Sequence, residues 1–389
     1  MARIADLLII GAGPFGLALA AEARALGIDY VMVGRPMEFW EQNMPAGMYL
    51  RSASDWHLDP RNDATIERYL ADQGLTPADV EPLSLDFYLG YVRWFQAQKQ
   101  LAALPRYVDK LDITDSGRFV AHLDDGSSVA ANAVAVAVGF KYFKHQPDDV
   151  VALLPSGRYA HTCDLVDFAP LRGQRCLILG GRQSAFEWAA LIHEAGAAAV
   201  HVVHRHPSPA FAAADWSWVN GLVENMVADP GWFRRLPPAE QAAVSRRLWE
   251  EGRLKVEPWL EARVRVPGVT IWPETAVTHT AEAANGDILV DLSNGAALAV
   301  DTIILATGYK VDIARVPFLA QGNILPRLAT RNGFPVLDEH FQTNVPGLFV
   351  TSMPAGQDFG PFFGFTISVR TSARLIGQAL AGAPDGVTG

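Results

Sequence analysis

Two glycine-containing stretches carry residue types and spacings that suit phosphate binding. The first, GAGPFG, contains Gly11, Gly13 and Gly16. In a dinucleotide-binding turn the first glycine permits a tight bend, the second lets the backbone approach a diphosphate, and the third lets the next helix pack closely on the strand. Pro14 and Phe15 stand where that helix would begin, and free backbone N–H groups there favour an anion. We therefore predict that this turn binds the diphosphate of a dinucleotide.

The second stretch, GGRQSA, has the same pattern except that its middle position is an arginine. Gly180 holds the first glycine position, Arg182 the second and Ala185 the third, with Gln183 and Ser184 between them. A guanidinium pairs well with phosphate oxygens, so we predict that Arg182 contacts the phosphates together with its polar neighbours. The alternative, in which the arginine side chain closes the site, remains open.

Neither unit carries the acidic residue that commonly holds the adenosine ribose at the end of the second strand. In the first unit that position is Gly34, and we expect Arg35 or Glu38 to reach the ribose instead. In the second unit the strand ends in His204 and Arg205. A basic residue there suits a 2′-phosphate, which favours NADPH over NADH.

Apolar strands and helices flank both turns. ADLLII precedes the first turn and LALAAEARALG follows it, whereas RCLILG and FEWAALIHEAG flank the second. Strand, turn, helix and strand thus occur twice, which predicts an α/β fold with two Rossmann-like dinucleotide-binding domains. A hairpin and a buried strand follow each unit later in the chain. The first of these strands ends at Gly139, which we include among the cofactor-binding candidates.

Residues 207–262 depart from this pattern, because short helical segments there carry an unusual number of tryptophans. These are Trp216, Trp218, Trp232, Trp249 and Trp259. We predict a helical, tryptophan-rich insertion in the second domain. Its tryptophans either pack in a core or line a substrate pocket, and the sequence leaves both interpretations open.

Composition limits the range of functions. The chain of 389 residues has a net charge of −10 at pH 7, which argues against nucleic-acid binding. No apolar run is long enough to span a membrane, and the N-terminus is unlike a secretion signal, so we expect a cytoplasmic protein without membrane attachment. Cys163 and Cys176 are too far apart for a CxxC pair, which argues against a disulfide shuttle. We find no metal-ligand cluster and assign no catalytic acid or base.

With both turns identified, the chain resembles the two-domain flavoprotein monooxygenases. That group includes the flavin-containing monooxygenases, the amine N-hydroxylases and the Baeyer–Villiger monooxygenases. The resemblance covers most of the chain and rests on GAGPFG, FWEQNMPAGMYLRS, GGRQSAFEWA, ILATGYKVD, and the closing GLFVTS and FFGFTISVRTSARLI. The family carries the ATGY motif where the chain returns from the second domain to the first, so Ala306, Thr307, Gly308 and Tyr309 join the candidate cofactor site.

The resemblance implies FAD in the first domain and NADPH in the second. It further implies that Trp40, Met48, Arg51 and Ser52 lie beside the flavin and that Asp358 binds its ribityl chain. The segment PSGRYAHTCDL keeps the glycine and the histidine of the family fingerprint but lacks its two aromatic residues. This departure counts most against the Baeyer–Villiger group.

The implied organisation divides the FAD-binding domain into two parts. Residues 1–150 form the first part, residues 151–300 form the inserted NADPH-binding domain with its helical insertion around 207–262, and residues 301–389 form the return part and a C-terminal helix.

The implied reaction is a monooxygenation in which NADPH reduces FAD, the reduced flavin captures O₂ as a C4a-peroxide, and one oxygen atom passes to a small-molecule substrate at nitrogen or sulfur. Two alternatives stay open: a flavin-dependent NAD(P)H reductase or oxidase, and a nucleotide-binding protein without turnover. Assembly into a homo-oligomer is also left open.

Overall fold

The computed structural model describes residues 4–382, which build two large sheets and several small ones. The first large sheet contains β1 (Ile4–Ile10), β2 (Tyr30–Val33), β3 (Val108–Ile113), β4 (Phe119–Leu123), β5 (Ser128–Val136) and β18 (Leu348–Val350). The second contains β6 (Tyr159–His161), β7 (Arg175–Leu179), β8 (Ala199–Val203), β11 (Val269–Trp272) and β15 (Thr302–Leu305). The small sheets join β9 (Ala210–Phe211) to β10 (Lys255–Val256), β12 (Val277–Glu282) to β13 (Ile288–Leu292) and β14 (Ala297–Val300), and β16 (Thr330–Arg331) to β17 (Phe334–Pro335).

Helices connect and cover these sheets. They are α1 (Pro14–Ala25), α2 (Glu38–Gln42), α3 (Ile66–Ala71), α4 (Pro77–Val80), α5 (Leu85–Gln98), α6 (Asp148–Val151), α7 (Gln183–Glu194), α8 (Ser217–Asn225), α9 (Trp232–Arg235), α10 (Pro238–Trp249), α11 (Glu261–Val264), α12 (Pro317–Gln321), α13 (Gly356–Phe359) and α14 (Val369–Gly382). No helix within residues 4–382 combines the length and the apolar character that crossing a membrane requires.

The first sheet has the order β2-β1-β5-β4-β3, with β18 also paired to β5. Along one edge β5 runs parallel to β1, and along the other it pairs first antiparallel with β4 and then parallel with β18. The central strands are almost wholly apolar and buried, because helices and loops cover both faces of the sheet. The carboxyl ends of β1 and β5 therefore lie side by side, at the edge where ligands bind in such sheets.

The second sheet is fully parallel, in the order β11-β8-β7-β15-β6. One apolar core packs on each of its faces, separate from the core of the first domain. Two strand–turn–helix units on two sheets confirm the predicted α/β fold with two Rossmann-like domains.

The return to the first domain comes later than we placed it. β15 pairs with β7 and β6 of the second sheet, so the chain leaves that sheet after Leu305 rather than at residue 301. The apolar strand TIIL is buried between its two neighbours there, which fixes its sheet. Just beyond it, Tyr309 forms an antiparallel bridge with Lys144, so the two chain crossings between the domains pair with each other.

The tryptophan-rich insertion consists of α8, α9, α10, a π-helical turn over Glu250–Leu254, and α11. Four of its five tryptophans agree with the packing interpretation. Trp216, Trp218 and Trp232 pack against the core of the first domain, and Trp259 packs against a core of the second. Trp249 is instead 49% exposed.

Candidate functional site

The first glycine turn has the tight geometry that its sequence predicts. Gly11 has φ +113°, its N–H donates to Val33 O at 2.8 Å, and an added Cβ would overlap the carbonyl of Ala137. An added Cβ at Gly16 would overlap the carbonyl of Gly11, so the helix can approach the strand only without a side chain. At Gly13, by contrast, an added Cβ meets no atom within 4 Å. The turn therefore presents open space above the uncapped N-terminus of α1.

A cleft of about 960 Å³, its open mouth included, begins at this turn. Seven predicted cofactor residues lie on its wall, namely Gly11, Gly13, Pro14, Phe15, Arg35, Trp40 and Gly139. The structure adds Tyr107 and Lys141, which no sequence motif singled out, and it also brings Ser352, Phe365 and Thr366 of the two closing motifs onto the wall. The size lies within the range of ligand-binding clefts.

One end of the cleft lies beside the end of β2 and holds a polar cluster. Gly34 has φ +140°, and an added Cβ would lie 3.0 Å from Ala12 N, so an acidic side chain at this position would be strained. The nearby carboxylate is that of Glu38, which accepts hydrogen bonds from Tyr107 and, at 3.0 Å, from Lys141. Burial by itself raises the pKa of Glu38, but these hydrogen bonds and nearby positive charges outweigh it and lower the pKa. Glu38 is thus an ionised acceptor at neutral pH.

Two cations frame this acceptor. Lys141 Nζ lies 4.0 Å, and Arg35 Cζ 5.3 Å, from the ring centre of Tyr107, and Arg35 also pairs with Glu38 at 3.5 Å. Of the two candidates that the sequence offered for the ribose, Glu38 is the one with acceptor oxygens. Arg35 lies on the wall beside it.

The other end of the cleft is largely aromatic. Trp40, Phe365 and Thr366 line it, and the ring of Trp216 from the insertion packs 5.7 Å from the ring of Phe365. Ser52 lies one residue away from the wall, with its hydroxyl 3.0 Å from that of Thr366. The insertion therefore contacts the cleft wall at Phe365, although none of its described residues lies on the wall itself.

Arg51 lies outside the cleft, contrary to the role that the resemblance implied. Its guanidinium donates to Glu257 Oε1 at 2.7 Å, to Gly252 O at 2.6 Å and to Glu251 O at 3.3 Å. These partners all belong to the insertion, so Arg51 attaches the first domain to it. Met48 likewise lies off the cleft wall, packed against a core of each domain.

Asp358 is also placed away from the cleft. Its side chain is 4% exposed, and its oxygens accept hydrogen bonds from Arg331 at 2.9 Å and from Leu337 N at 2.8 Å. Both oxygens therefore accept hydrogen bonds that fix a loop, Asp358 is not on the cleft wall, and its ribityl contact stays a prediction. In the segment between β18 and α13, just before Asp358, Ser352 lies on the cleft wall and has φ 68°.

The second glycine turn repeats the geometry of the first. Gly180 has φ +145°, and its N–H donates to Val203 O at 3.0 Å, as Gly11 does to Val33 in the first unit. α7 follows with Arg182 as its N-cap and without a side-chain cap, and Ser184 is exposed in its first turn. The helix N-terminus is thus available to an anion.

The Arg182 side chain extends toward the insertion. It donates to Arg253 O at 3.0 Å, and its guanidinium lies 5.1 Å from the ring centre of Trp249. Burial lowers its pKa. At the end of β8, Arg205 is 68% exposed and pairs with Asp149 at 3.4 Å.

Gln183 links this turn to both neighbouring parts of the molecule. Its amide donates to Glu187 Oε2 at 3.2 Å and accepts from Glu257 N, in the insertion, at 3.0 Å. Glu187 in turn accepts from Tyr49 N, in the first domain, at 2.8 Å. Burial raises the pKa of Glu187 to about 7.

The ATGY motif lies at the crossing between the domains rather than on the cleft wall. The Ala306 carbonyl adjoins the second turn, Thr307 donates to His145 O, and Gly308 O lies 3.0 Å from His161 Nε2. The ring of Tyr309 packs 4.8 Å from that of Phe140, which does line the cleft.

Both cysteines are free and buried. Burial raises the pKa of Cys163 to about 11 and that of Cys176 to about 12. The Cys163 thiol lies 3.0 Å from His161 Nδ1, which is its acceptor because the other ring nitrogen faces a carbonyl. Neither thiol is therefore set up for disulfide exchange.

Two turns of this geometry on two sheets define a protein with two dinucleotide-binding domains. More specifically, the chain belongs to the pyridine nucleotide-disulphide oxidoreductase family, whose models match residues 8–230 and 243–352. A ferredoxin–NADP reductase of Paraburkholderia phymatum is 30% identical over 222 residues, which cover 55% of this chain and 54% of that protein. A FAD-dependent urate hydroxylase of Xanthomonas campestris is 26% identical over 221 residues, or 52% of this chain and 46% of that protein. The matches thus span about half the length of these relatives.

Solved structures share the fold over nearly the whole chain. The ornithine N-hydroxylase of Kutzneria sp. 744 superposes with a TM-score of 0.79 at 14% identity, covering 97% of this chain and 99% of that one. The ornithine hydroxylase of Pseudomonas aeruginosa gives 0.75 at 18% identity, with the same coverage. The bacillithiol disulfide reductase of Bacillus cereus gives 0.66 at 19% identity, covering 98% of this chain and all of that one. The two-domain fold expected from the resemblance is confirmed.

Proposed function

We propose that this protein is an FAD- and NADPH-dependent monooxygenase that transfers one oxygen atom from O₂ to a small molecule, at nitrogen or sulfur. Nitrogen is favoured, because several of the solved structures that share the fold are hydroxylases of ornithine, lysine or cadaverine. In this proposal the first sheet carries the FAD-binding domain and the second the NADPH-binding domain.

The residues of the cleft fit FAD. The open face at Gly13 and the N-terminus of α1 would hold its diphosphate, and the Glu38 carboxylate would accept a hydrogen bond from its ribose. The aromatic end near Trp40 and Phe365 would then take the flavin ring. FAD supplies the redox chemistry, because it accepts a hydride from NADPH and, once reduced, reacts with O₂.

The observation that carries the proposal is the contact between the tryptophan-rich insertion and the cleft wall at Phe365. Trp216 packs on Phe365, and Arg51 donates to the carbonyls of Glu251 and Gly252, so the insertion is anchored to the first domain. Oxygen transfer requires a site that excludes water, since water diverts reactive intermediates. In this proposal the tryptophan-rich insertion would supply that exclusion from its position against Phe365 and would form part of the substrate pocket.

The second turn fits a pyridine nucleotide for the same reasons as the first. Its tight backbone leads into the uncapped N-terminus of α7, which would hold the diphosphate. Arg205, exposed at the end of β8, would pair with the 2′-phosphate of NADPH. We therefore keep NADPH as the reductant.

The proposal is tested by following the purified protein through its two half-reactions. The protein should carry flavin absorbance that NADPH bleaches without oxygen, and air should restore the absorbance. With oxygen, NADPH oxidation alone should yield hydrogen peroxide, and the correct amine should divert that yield into hydroxylated product. Peroxide yields that no member of a panel of amines and sulfides lowers would contradict oxygen transfer.

A reductase is the second candidate, and it is favoured by the match to ferredoxin–NADP reductase. Such an enzyme would pass electrons from NADPH to a protein or a dye rather than to O₂. Rapid NADPH-dependent reduction of added ferredoxin, with slow oxygen consumption, would support this function instead. A colourless protein that FAD cannot reconstitute would leave only nucleotide binding.

A further inference from the structure

Glu187 is buried between the two domains, and its carboxyl group joins them. The side chain lies on α7 of the second domain and is 1% exposed. Its oxygens accept hydrogen bonds from Tyr49 N, in the first domain, at 2.8 Å and from Gln183 Nε2, in the first turn of α7, at 3.2 Å. Breaking the contact with Tyr49 would leave a buried N–H without a partner, which is costly. Glu187 therefore fixes the backbone of the first domain at Tyr49.

Gln183 extends this contact into a closed ring of hydrogen bonds. Its Oε1 accepts from Glu257 N, in the insertion, at 3.0 Å. The Glu257 carboxylate pairs with Arg51 at 2.7 Å, and Arg51 lies two residues after Tyr49. The ring thus begins and ends in the same short segment of the first domain. Neither α7 nor the insertion can shift against residues 49–51 without breaking one of its four links.

This segment also contacts the wall of the first cleft. Ser52, next to Arg51, has its hydroxyl 3.0 Å from that of Thr366, which lines the cleft. Arg51 donates to two carbonyls of the insertion, from which Trp216 packs 5.7 Å from the wall residue Phe365. A displacement of the segment would therefore reach the end of the cleft to which the proposed function assigns the flavin ring.

On its other side the ring includes the first turn of α7. Gln183 is the first residue of this helix, and no side chain caps the helix N-terminus. A ligand bound there orders the turn and, with it, the Gln183 side chain. When one ligand orders an element that a second ligand also needs in place, the second binds at a lower entropic cost, and the effect is reciprocal.

We propose that Glu187 is a positioning residue that, through Gln183 and Tyr49, couples occupation of the second glycine turn to the flavin end of the first cleft. The inference rests on the proposed function in requiring a dinucleotide at each turn, but it does not require oxygen transfer. Since the coupling is reciprocal, a nucleotide bound at α7 holds FAD in place, and FAD strengthens the binding of that nucleotide.

The test measures FAD release rather than turnover. Flavin fluorescence is followed as FAD leaves the holoenzyme, with and without saturating 2′-phospho-ADP-ribose. This probe carries the diphosphate of NADPH but lacks the nicotinamide, so it cannot retain the flavin by lying on its ring. The probe should slow FAD release from the wild-type protein about fivefold, the ratio expected when the two sites share about one net hydrogen bond.

Two variants break the ring at different links. Glu187→Leu removes the acceptor of Tyr49 N, and Arg51→Met removes the donor to Glu257. In both variants the probe should change the rate of FAD release by less than about twofold, because the coupling is lost. Glu187→Gln keeps an oxygen acceptor and should restore the slowing. Glu194→Gln is the matched control on the same helix and should behave as wild type, because its carboxylate is 46% exposed and lies outside the ring.

Each variant is compared under conditions that show it to be folded and saturated. Its affinity for the probe is measured first, so that the site is filled in every release experiment. Retained flavin and an unchanged circular dichroism spectrum show that the variant is folded.

Three results would overturn the proposal: FAD release from wild type that the bound probe leaves unchanged, full slowing in Glu187→Leu, or loss of slowing in Glu194→Gln. Each can occur while NADPH drives oxygenation of an amine, and the proposed function would then stand without this inference. Intact coupling in a protein that only reduces ferredoxin would support the inference and contradict oxygen transfer. A wild-type protein that does not bind the probe would contradict both.

Discussion

Glu187 is expected to make the protein less stable as the pH rises. Its side chain is 1% exposed, and burial raises its pKa from the usual 4.5 to about 7 despite the hydrogen bonds from Tyr49 N and Gln183. Each pKa unit corresponds to about 1.4 kcal/mol, so this rise corresponds to about 3 kcal/mol. The folded state holds the proton more tightly than the unfolded chain. The stabilisation is therefore fully present below about pH 4.5 and is lost as the pH rises through about 7.

The substitution Glu187→Gln isolates this effect. The amide keeps an oxygen acceptor for Tyr49 N but cannot ionise. At about pH 5 the variant and wild type should unfold with similar free energies, and by about pH 8 the variant should be more stable by about 3 kcal/mol. Glu194→Gln is the matched control, because Glu194 lies on the same helix but is 46% exposed. Its difference from wild type should be small, because the Glu194 carboxylate is exposed to solvent.

The assay is urea unfolding of the flavin-loaded protein, followed by circular dichroism at several pH values across this range. The diagnostic quantity is the slope of the stability difference between Glu187→Gln and wild type against pH. A difference that stays constant would refute the reasoning, since it would mean that Glu187 ionises in the folded protein as it does in the unfolded chain. A positive slope in the Glu194 control would show that the effect is not specific to the buried carboxyl.

Three further predictions concern other parts of the site. Gly13→Ala should fold normally but lose bound flavin, because the added methyl occupies the open face of the turn, whereas Gly16→Ala should fail to fold. Flavin absorbance and circular dichroism distinguish the two variants. A Gly13→Ala variant that retains flavin would contradict the assignment of this turn to the FAD diphosphate. Glu38→Gln should weaken FAD binding about tenfold in equilibrium dialysis, since an ionised acceptor is lost, and a dissociation constant within about twofold of wild type would exclude that role. At about pH 8 a thiol reagent should leave Cys163 and Cys176 unmodified in the folded protein and should modify both after unfolding. The reason is that burial raises the pKa of both thiols. Fast modification of the folded protein would contradict their burial.

The two glycine turns could be predicted from sequence because their requirements are local. The bend at Gly11, the close approach at Gly16 and the bend at Gly180 depend on residues a few positions away in a strand and a helix that the hydropathy pattern already marks. The repeat of that pattern was sufficient for the fold class. It could not place the strand Thr302–Leu305, because an apolar strand fits either buried sheet and only its pairing with β7 decides which one.

The placements that the sequence did not predict depend on partners distant in the sequence. Glu38 becomes the acceptor in the cleft because Tyr107 and Lys141, 69 and 103 residues away, meet it there. Asp358 lies off the cleft wall, where Arg331 donates to one of its oxygens. Arg51 lies off it too, because the insertion, some 200 residues later, offers carbonyls and a carboxylate. The sequence by itself therefore determined two glycine turns and the domains that present them. Which charged side chains face the ligands was decided only by tertiary packing, since a buried charge is stabilised by whichever partners the fold brings within hydrogen-bond distance.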